Sequence, residues 1–333
     1  MKIMVVLTGG TIGSAISNGT VNVNNKTMPE IVDLYCKNYK SKIDFTVVTA
    51  MSVLSENITY NEWNVLVKAL ENVDFSKFDG IIVTHGTDTL PYTSALLGFV
   101  FGSCNKPIIL VSSNKPLSTT GSNGLRNFAS AVTLIKEKVN GVYATIGYDN
   151  IDYVYSATSL MEAEGYNDRF FDFSGQEYGI IQNDLDLFVI NNKFNCIGEH
   201  KLLISKDIVL SNEILFIKPY PNMNYDIINI EHSPMAVLHS LYHSGTACVQ
   251  GGNKSLVDFI KKCTSKGINF YVAPFKSDEI QYSTANDIVN AGAIPLCGIS
   301  PIAAYVKLCL LYNASSCDPK SDMLKPTYNE FFR

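Results

Sequence analysis

The sequence has few charged residues for its length and no excess of basic ones. Only 17% of the 333 residues are charged, and 26 Lys and Arg stand against 31 Asp and Glu, which leaves a net charge of -5. A protein that binds a phosphate backbone needs a large basic surface, and this composition does not provide one. We therefore expect no nucleic-acid partner.

Clustered cysteines and long apolar runs are also missing. The eight cysteines form no CxxC pair and the five histidines have no metal-ligand spacing, so we expect no metal and no cofactor. A chain of this length needs no disulfide bonds for stability, and reduced thiols are the default. No run approaches the roughly 18 apolar residues of a membrane span, and the apolar run Ile3–Leu7 is too short for a secretory signal. We expect a cytoplasmic protein without a membrane anchor.

Apolar residues are abundant enough for two hydrophobic cores. They make up 46% of a chain that is longer than one core usually supports. In the first half, β-type apolar runs alternate with amphipathic helical stretches, which is typical of βα units in a parallel sheet. We predict an α/β fold with a doubly wound parallel sheet at 1–190, a linker at 191–211 and a smaller α/β domain at 212–333. In that second domain we predict strands at 214–218 and 268–273 and helices at 234–241, 254–266 and 301–311.

Three polar loops follow predicted strands of the first domain. They are Thr8–Thr11, His85–Asp88 and Ser112–Lys115, and we expect each to precede a helix. In an open parallel sheet, ligands bind outside the carboxyl ends of the strands. The loops therefore predict one site at one edge of the sheet.

The first loop places the hydroxyl of Thr11 inside a glycine turn, Thr8-Gly9-Gly10-Thr11-Ile12-Gly13. In such a turn, backbone amides can approach a substrate closely. The pattern is neither GxGxxG nor a P-loop, because no Gly-Lys-Ser/Thr follows. A catalytic turn and a structural strand-to-helix turn both stay open for this motif alone.

The second loop, His85-Gly86-Thr87-Asp88-Thr89-Leu90-Pro91-Tyr92-Thr93, is more specific. A hydroxyl beside a carboxylate can orient a proton or bind an ammonium group. A helix N-cap by Thr87 or Asp88 is the structural alternative, and it explains only one of the four polar residues.

Together the two motifs resemble the paired signature of the bacterial-type L-asparaginases, in particular their cytosolic type I subgroup. The resemblance is carried by TGGTIG near the N-terminus and by DGIIVTHGTDTLPYTSALL at residues 79–97. It extends over nearly the whole chain, through Ser55–Trp63, Lys106–Leu117, Gly121–Asn127, Leu241–Ala247 and Gly292–Leu308.

The resemblance implies an amidohydrolase that converts L-asparagine and water to L-aspartate and ammonia. Thr11 would attack the side-chain amide and form an acyl-enzyme. Thr87 would be the second catalytic hydroxyl, and Asp88 would bind the α-amino group. Ser55 would hold the α-carboxylate, with Glu56 beside it. The other implied substrate contacts are Gly10, Gly86 and Ser113, with backbone amides of the Thr11 turn and the Ser113 loop as oxyanion-hole candidates.

The sequence departs from the family pattern where relatives carry a catalytic lysine. The corresponding stretch is 152–160, and no lysine occurs between Lys138 and Lys193. A cation beside the second threonine assists proton transfer, an effect of about 10² to 10⁴-fold. Lys115, expected at the same sheet edge, is a possible substitute that would reach Thr87, with a solvated surface lysine as the alternative. Further departures are Asn123 for an Asp, Thr246 for an Asn that reaches the neighbouring subunit, and the lack of an activating tyrosine among Ser14–Asn25.

Three functions remain open. The first is an L-asparaginase, and the second is a non-catalytic or weakly active amino-acid-binding protein, which the missing lysine favours. The third is hydrolysis of another amide, such as glutamine, a peptide or an amidated tRNA product, as in archaeal amidotransferase subunits. The resemblance also implies a homodimer or homotetramer.

Overall fold

The computed structural model describes residues 1–17, 19–23, 30–182, 186–197, 208–232, 234–276, 281–315 and 317–332. They fall into two compact units. The first is built mainly from Met1–Asn195 and includes Thr327–Asn329, and the second is drawn mainly from Leu203–Pro326 with Glu330–Arg333. Because residues 198–207 lie outside the described residues, the predicted limits of the linker and of the two domains stay a prediction.

The first unit contains, within the described residues, a sheet of eight strands in the order β12-β11-β8-β7-β6-β5-β1-β4. The strands β4, β1, β5, β6 and β7 run parallel, and β8, β11 and β12 continue the sheet antiparallel. The strands of this unit are β1 (Lys2–Gly9), β2 (Ser14–Ser17), β3 (Thr20–Val23), β4 (Asp44–Val53), β5 (Gly80–Thr84), β6 (Pro107–Val111), β7 (Gly141–Tyr148), β8 (Ile151–Ser156), β9 (Leu160–Met161), β10 (Phe171–Asp172), β11 (Gly179–Gln182) and β12 (Leu187–Ile190). The helices are α1 (Glu30–Tyr39), α2 (Tyr60–Glu71), α3 (Leu90–Phe101) and α4 (Gly124–Lys136).

Burial explains why the central strands form. Every residue of β5 and β6 is buried, as expected for parallel strands covered on both faces. Helix α3 begins with a proline in its first turn and is buried along almost its whole length. Helix α2 begins with a capping box in which Thr59 and Glu62 satisfy free backbone amides. The predicted α/β class with a parallel sheet is confirmed.

The second unit is a smaller α/β structure. Its described residues form a four-stranded parallel sheet in the order β14-β15-β16-β17. The strands are β13 (Cys196–Ile197), β14 (Ile214–Ile217), β15 (Ala236–Ser240), β16 (Asn269–Phe275), β17 (Ile294–Cys297) and β18 (Phe331–Phe332). The helices are α5 (Leu256–Ser265), α6 (Ser283–Asn290), α7 (Pro301–Asn313) and α8 (Pro319–Met323).

Two local predictions are wrong. The helix predicted at 234–241 is instead strand β15, and all five of its residues are buried. A short apolar run does not distinguish a buried strand from a buried helix by periodicity alone. The first polar loop is followed by the antiparallel pair β2 and β3 rather than directly by a helix. Between these strands, Gly19 has a φ of 75°, a conformation that suits a turn.

Three further properties concern the described residues as a whole. None of their helices combines the length and the apolarity that crossing a membrane requires. All eight cysteines are free thiols. No group of three or more His, Cys, Asp or Glu side chains in this part of the chain is arranged to hold a metal ion.

Candidate active site

The loops after β1, β4 and β5 meet through close backbone contacts. Gly10 has a φ of 71°, and a Cβ atom added there would stand 2.2 Å from the backbone nitrogen of Gly86. A Cβ atom added to Gly86 would stand 2.4 Å from the hydroxyl oxygen of Ser55. Only glycine combines this left-handed backbone with so close an approach. The contacts bring the Thr11 turn, Ser55 and the His85–Asp88 loop together.

Hydrogen bonds fix the turn that carries Thr11. The hydroxyl of Thr8 donates to the carbonyl of Thr84 at 2.6 Å, and the amide of Gly10 donates to the carbonyl of Val53 at 2.9 Å. The hydroxyl of Ser14 donates to the carbonyl of Gly10 at 2.8 Å. Thr11 itself is half-buried, and its hydroxyl makes no hydrogen bond to any described residue. The turn is held rigidly while the Thr11 hydroxyl stays available.

The carboxylate of Asp88 lies between two hydroxyl groups. Its Oδ1 is 3.5 Å from the hydroxyl oxygen of Thr87, and its Oδ2 is 3.5 Å from that of Ser55. Both distances are at the long limit of a hydrogen bond, and such contacts often tighten when substrate binds. Ser55 is buried on a short 3-10 turn, held by a hydrogen bond from the Thr89 hydroxyl to its carbonyl at 2.9 Å, whereas Glu56 is exposed.

His85 holds the second loop in place through hydrogen bonds. Its backbone amide donates to the carbonyl of Val111 at 2.8 Å, and its Nδ1 lies 2.8 Å from the carbonyl of Gly86. Complete burial lowers the pKa of His85 to about 4, although the Gly86 carbonyl and Asp88 act in the opposite direction. A neutral ring with its proton on Nδ1 fits these contacts, and Nε2 has no hydrogen-bond partner among the described residues. His85 therefore orients the loop.

A cavity of about 440 Å³ adjoins the second and third loops. Thr11, Gly10 and Ser55 are not among the residues that line it, so it extends from the Thr87 side of Asp88. Its lining contains no lysine or arginine among the described residues. The lining residues are Thr87, Asp88, Ser112, Asn114, Asn123, Ile146, Glu162, Ala163, Glu164, Gly165, Tyr166, Asn167, Asp168 and Phe170.

In the third loop, Ser112 and Asn114 line the cavity, and Ser113 and Lys115 do not. Ser113 is buried, and its hydroxyl contacts the Lys115 carbonyl at 2.5 Å and the Ser122 hydroxyl at 2.9 Å. Lys115 is exposed, with its Nζ 3.7 Å from the place where a Cβ atom on Gly121 would stand. The substrate contact of Ser113 and the role of Lys115 as a lysine substitute stay predictions.

Asn123, predicted to stand where the family has an aspartate, joins two loops through both ends of its amide. Its Oδ1 accepts from the amide of Asn114 at 2.9 Å, and its Nδ2 donates to the carbonyl of Gly147 at 2.8 Å. The Asn114 side chain in turn donates to Asp168 at 2.9 Å. An ionised aspartate cannot donate a hydrogen bond, so this network requires the asparagine.

Glu162, Glu164 and Asp168 line the cavity and were missed by sequence reasoning. They lie in the turn of a hairpin in which β10 pairs antiparallel with β9. The turn could have been predicted from the run Gly165-Tyr166-Asn167-Asp168, which lies between the apolar pairs Leu160-Met161 and Phe170-Phe171. In the structure, Tyr166 has a φ of 63°. The stretch 152–160, where we predicted that the family lysine is missing, forms most of strand β8 and the start of this hairpin.

Two other predicted departures stay predictions. Thr246 belongs to the second unit, where its carbonyl accepts from the amide of Tyr242 at 2.9 Å, and its contribution to a neighbouring subunit stays a prediction. The segment Ser14–Asn25, which lacks the family tyrosine, includes Asn18, Asn24 and Asn25, which lie outside the described residues.

Comparison with known proteins places these observations in a family. A family profile described as "Asparaginase, N-terminal" matches residues 2–172, which is just over half of the chain. The chain is similar to a glutamyl-tRNA(Gln) amidotransferase subunit from Sulfolobus acidocaldarius, with 24% identity over 318 residues that cover 92% of this chain and 70% of the relative.

Solved structures share the fold at low sequence identity. The thermostable L-asparaginase from Thermococcus kodakarensis superimposes with a TM-score of 0.80 and 20% identity over 100% of both chains. The probable cytoplasmic L-asparaginase from Campylobacter jejuni gives 0.75 and 22% over 97% of this chain and 98% of that one. The matched profile spans both motif loops and the cavity hairpin, and the chain belongs to the asparaginase family.

Proposed function

We propose that this protein hydrolyses L-asparagine to L-aspartate and ammonia through an acyl-enzyme on Thr11. The observation that supports this most directly is the contact between Gly10 and Gly86, which joins the Thr11 turn to the Thr87–Asp88 loop. A nucleophile and its proton-transfer groups must lie together before a weak hydroxyl nucleophile can act.

The reaction has two halves. The Oγ1 atom of Thr11 attacks the side-chain amide carbon, and backbone amides of the glycine turn stabilise the oxyanion that forms. The carbon–nitrogen bond then breaks, the nitrogen takes up the proton lost by Thr11, and ammonia leaves an aspartyl ester on the threonine. Water attacks this ester, releases L-aspartate and returns the proton to Thr11.

The remaining groups bind substrate and move protons. Asp88, with both carboxylate oxygens near hydroxyl groups, binds the α-ammonium group, and Ser55 holds the α-carboxylate, with Glu56 beside it in sequence. Thr87 relays the proton to the leaving nitrogen. Because no basic side chain lines the adjoining cavity among the described residues, we expect turnover to be slow for this family.

Lys115 is the proposed substitute for the missing cation. Its ammonium group stands on the exposed side of the third loop, and a side-chain rotation would have to bring it toward Thr87. We expect Lys115→Met to lower the rate of ammonia release about tenfold or more, within the range for proton-transfer groups. An unchanged rate would remove Lys115 from the mechanism.

A second candidate function is suggested by the curated relatives. Several are named as subunits of a glutamyl-tRNA(Gln) amidotransferase and match over nine-tenths of this chain, which supports release of ammonia for transfer to another acceptor. Under this proposal, ammonia release would depend on glutamyl-tRNA(Gln) and on a further subunit.

Ammonia release from L-asparagine, L-glutamine and a peptide amide, with and without glutamyl-tRNA(Gln), separates the candidates. We expect release from L-asparagine alone that is lost in Thr11→Ala. Release that needs glutamyl-tRNA(Gln) would favour the amidotransferase proposal. Binding of L-asparagine without any release would favour the amino-acid-binding protein and reject the hydrolase.

We also propose a homodimer or homotetramer in the cytoplasm. The resemblance to the asparaginase family suggests the oligomer, and the similarity to a probable cytoplasmic L-asparaginase and the eight free cysteines support the compartment. Light scattering coupled to size exclusion should give a mass of two or four chains, and a monomer would contradict the proposal.

A further inference from the structure

The cavity beside Thr87 is lined by carboxylates. Asp88, Glu162, Glu164 and Asp168 all line it, and none of them forms an ion pair with a described residue. The cation nearest in sequence, Arg169, is not among the lining residues and packs over the ring of Phe171 at 5.6 Å. A ligand that enters this cavity therefore meets negative charge without a compensating cation from its described lining.

Neutral hydrogen bonds hold these carboxylates in place. Glu162 accepts from the Tyr92 hydroxyl at 3.0 Å, and Asp168 accepts from the Asn114 side chain at 2.9 Å. Glu164 accepts from the side chain of Asn167 at 3.3 Å. Such bonds orient a carboxylate and leave its charge unbalanced.

Two observations point to an organic ligand with hydrogen-bonding groups. Ser112 lines the cavity with only 1% of its surface exposed, and its hydroxyl makes no hydrogen bond within the described residues. The described carboxylates are not clustered as a metal ion would require. The cavity volume of about 440 Å³ falls in the range of small-molecule sites and exceeds what a departing ammonia molecule needs.

The position of the cavity indicates which part of a substrate it receives. Thr87, which acts on the leaving nitrogen in the proposed reaction, lines the cavity beside Asp88, which binds the α-ammonium group, and Thr11, the nucleophile, does not. The cavity therefore adjoins the leaving-group side of the amide. An asparagine whose side-chain nitrogen carries a substituent would extend that substituent toward Glu162 and Asp168.

Resting on the proposed amidase reaction, we propose that the preferred substrates are N-substituted asparagines whose leaving amine carries a second, positively charged amino group. Thr11 forms the same aspartyl ester, the carbon–nitrogen bond breaks, and the leaving nitrogen takes the proton from Thr11, so that a diamine departs in place of ammonia. Water then hydrolyses the ester to L-aspartate. The second amino group does not react, and its charge pairs with Glu162, Glu164 and Asp168, while Asp88 pairs with the α-ammonium group.

Two substrates of matched length test the charge requirement. N4-(2-aminoethyl)-L-asparagine and N4-propyl-L-asparagine differ mainly in the terminal ammonium group. We expect kcat/KM to be about tenfold higher for the aminoethyl compound at low salt, and the ratio to fall as ionic strength rises. A ratio of one or less would overturn the proposal.

Variants test whether the cavity carboxylates cause the preference for the aminoethyl compound. We expect Glu162→Gln or Asp168→Asn to lower the ratio about threefold each, because each removes one exposed carboxylate. Glu137→Gln, an exposed carboxylate at the end of α4 outside the cavity, should keep the wild-type ratio. A ratio that stays unchanged in both cavity variants would assign the preference to another surface and contradict the proposal.

Calorimetry on Thr11→Ala separates this proposal from the proposed reaction. We expect this variant to bind the aminoethyl compound about tenfold more tightly than the propyl compound. Preferential binding without turnover in the wild type would reject the hydrolase and retain the cation-selective cavity. Turnover of L-asparagine with equal binding of the two compounds would retain the hydrolase and reject the cation-selective cavity.

Discussion

The two units are built alike but differ in the loops after their parallel strands. In the first, hydroxyl and carboxylate side chains follow β1, β4, β5 and β6, and the cavity there is polar and acidic. In the second, Pro219 and Tyr220 follow β14 and Tyr242 follows β15, beside a cavity of about 290 Å³. The lining of that cavity contains three tyrosines and one lysine and, among the described residues, no carboxylate.

This difference shows that the strand framework alone does not create a reactive site. Both sheets contain a row of adjacent parallel strands, yet within the described residues the first unit alone brings Thr11, Thr87 and Asp88 together in adjoining loops. Loops on a rigid scaffold carry chemistry, and the scaffold positions them. Paired variants in the two units therefore test whether the activity belongs to the first unit's loops.

The largest expected effect is the loss of the nucleophile. We expect Thr11→Ala to lower ammonia release at least about a thousandfold, because no acyl-enzyme can form. Tyr242→Phe, which removes a hydroxyl from the lining of the second unit's cavity, should leave release within about twofold of wild type. If the two variants lost activity equally, the proposed assignment of the chemistry to the first unit would fail.

The second largest effect concerns Thr87. We expect Thr87→Val to reduce kcat about 10² to 10⁴-fold, since it removes a proton-transfer hydroxyl and keeps the side-chain volume. Thr264→Val is the matched change in the second unit, at an exposed hydroxyl that bonds the carbonyl of Lys261 at 3.1 Å. Rate measurements at saturating L-asparagine should show a loss in the first variant only.

A third comparison concerns glycine. In Gly10→Ala, the residue has a positive φ and its new Cβ atom would stand 2.2 Å from the backbone nitrogen of Gly86. In Gly267→Ala, the residue has a similar φ of 77°, and no atom lies within 4 Å of the new Cβ atom. We expect the first change to lower the free energy of unfolding by about 4 kcal/mol, from backbone strain and overlap together. The second should cost about 1 to 2 kcal/mol from strain alone. Denaturant unfolding that gave equal losses would show that Gly10 and Gly86 are not in contact.

The smallest expected effect is a pH dependence that the two units share. Burial lowers the pKa of His85 and of His239 to about 4. Between pH 6.5 and 4 the unfolded chain binds protons that the folded chain does not, so stability is lost as the pH falls through this range. Each histidine contributes at most about 3 kcal/mol to that loss.

Single variants show how much of this pH dependence of stability comes from each histidine. His239, whose Nε2 lies 3.0 Å from the Tyr225 hydroxyl, is far in sequence from the motif loops. We expect His239→Gln and His85→Gln each to remove its own part of the pH dependence of unfolding and to leave the other part in place. Denaturant curves at pH 4.5 and 6.5 measure both. A pH dependence that both variants keep in full would contradict the assignment.

Much of the first unit could be predicted from residue patterns. Continuous apolar runs that end in glycine or a hydroxyl residue identify β1, β5 and β6, because parallel strands buried on both faces need such runs. The same positions place the Thr11 and Thr87 loops at one sheet edge, where Gly10 and Gly86 approach too closely to leave room for side chains.

Other features depended on tertiary contacts that no local pattern reveals. β15 was assigned as a helix because its short run fits both periods, and only its place between β14 and β16 decides the matter. The carboxylates of the cavity hairpin lie more than 70 residues from Thr87 in sequence, and their position depends on the bonds from Tyr92 and Asn114. The spacing of residues along the sequence does not predict long-range hydrogen bonds of this kind.

The most direct test of the account is to trap the intermediate on Thr11. Wild-type protein mixed with L-asparagine and quenched within its first turnovers should yield, by mass spectrometry of its peptides, one aspartyl group esterified to Thr11, accompanied by released ammonia. The Thr11→Ala protein should carry no such group. Ammonia release from wild-type protein with the aspartyl group on another residue, or undiminished release by Thr11→Ala, would contradict the proposal that the glycine turn carries the nucleophile.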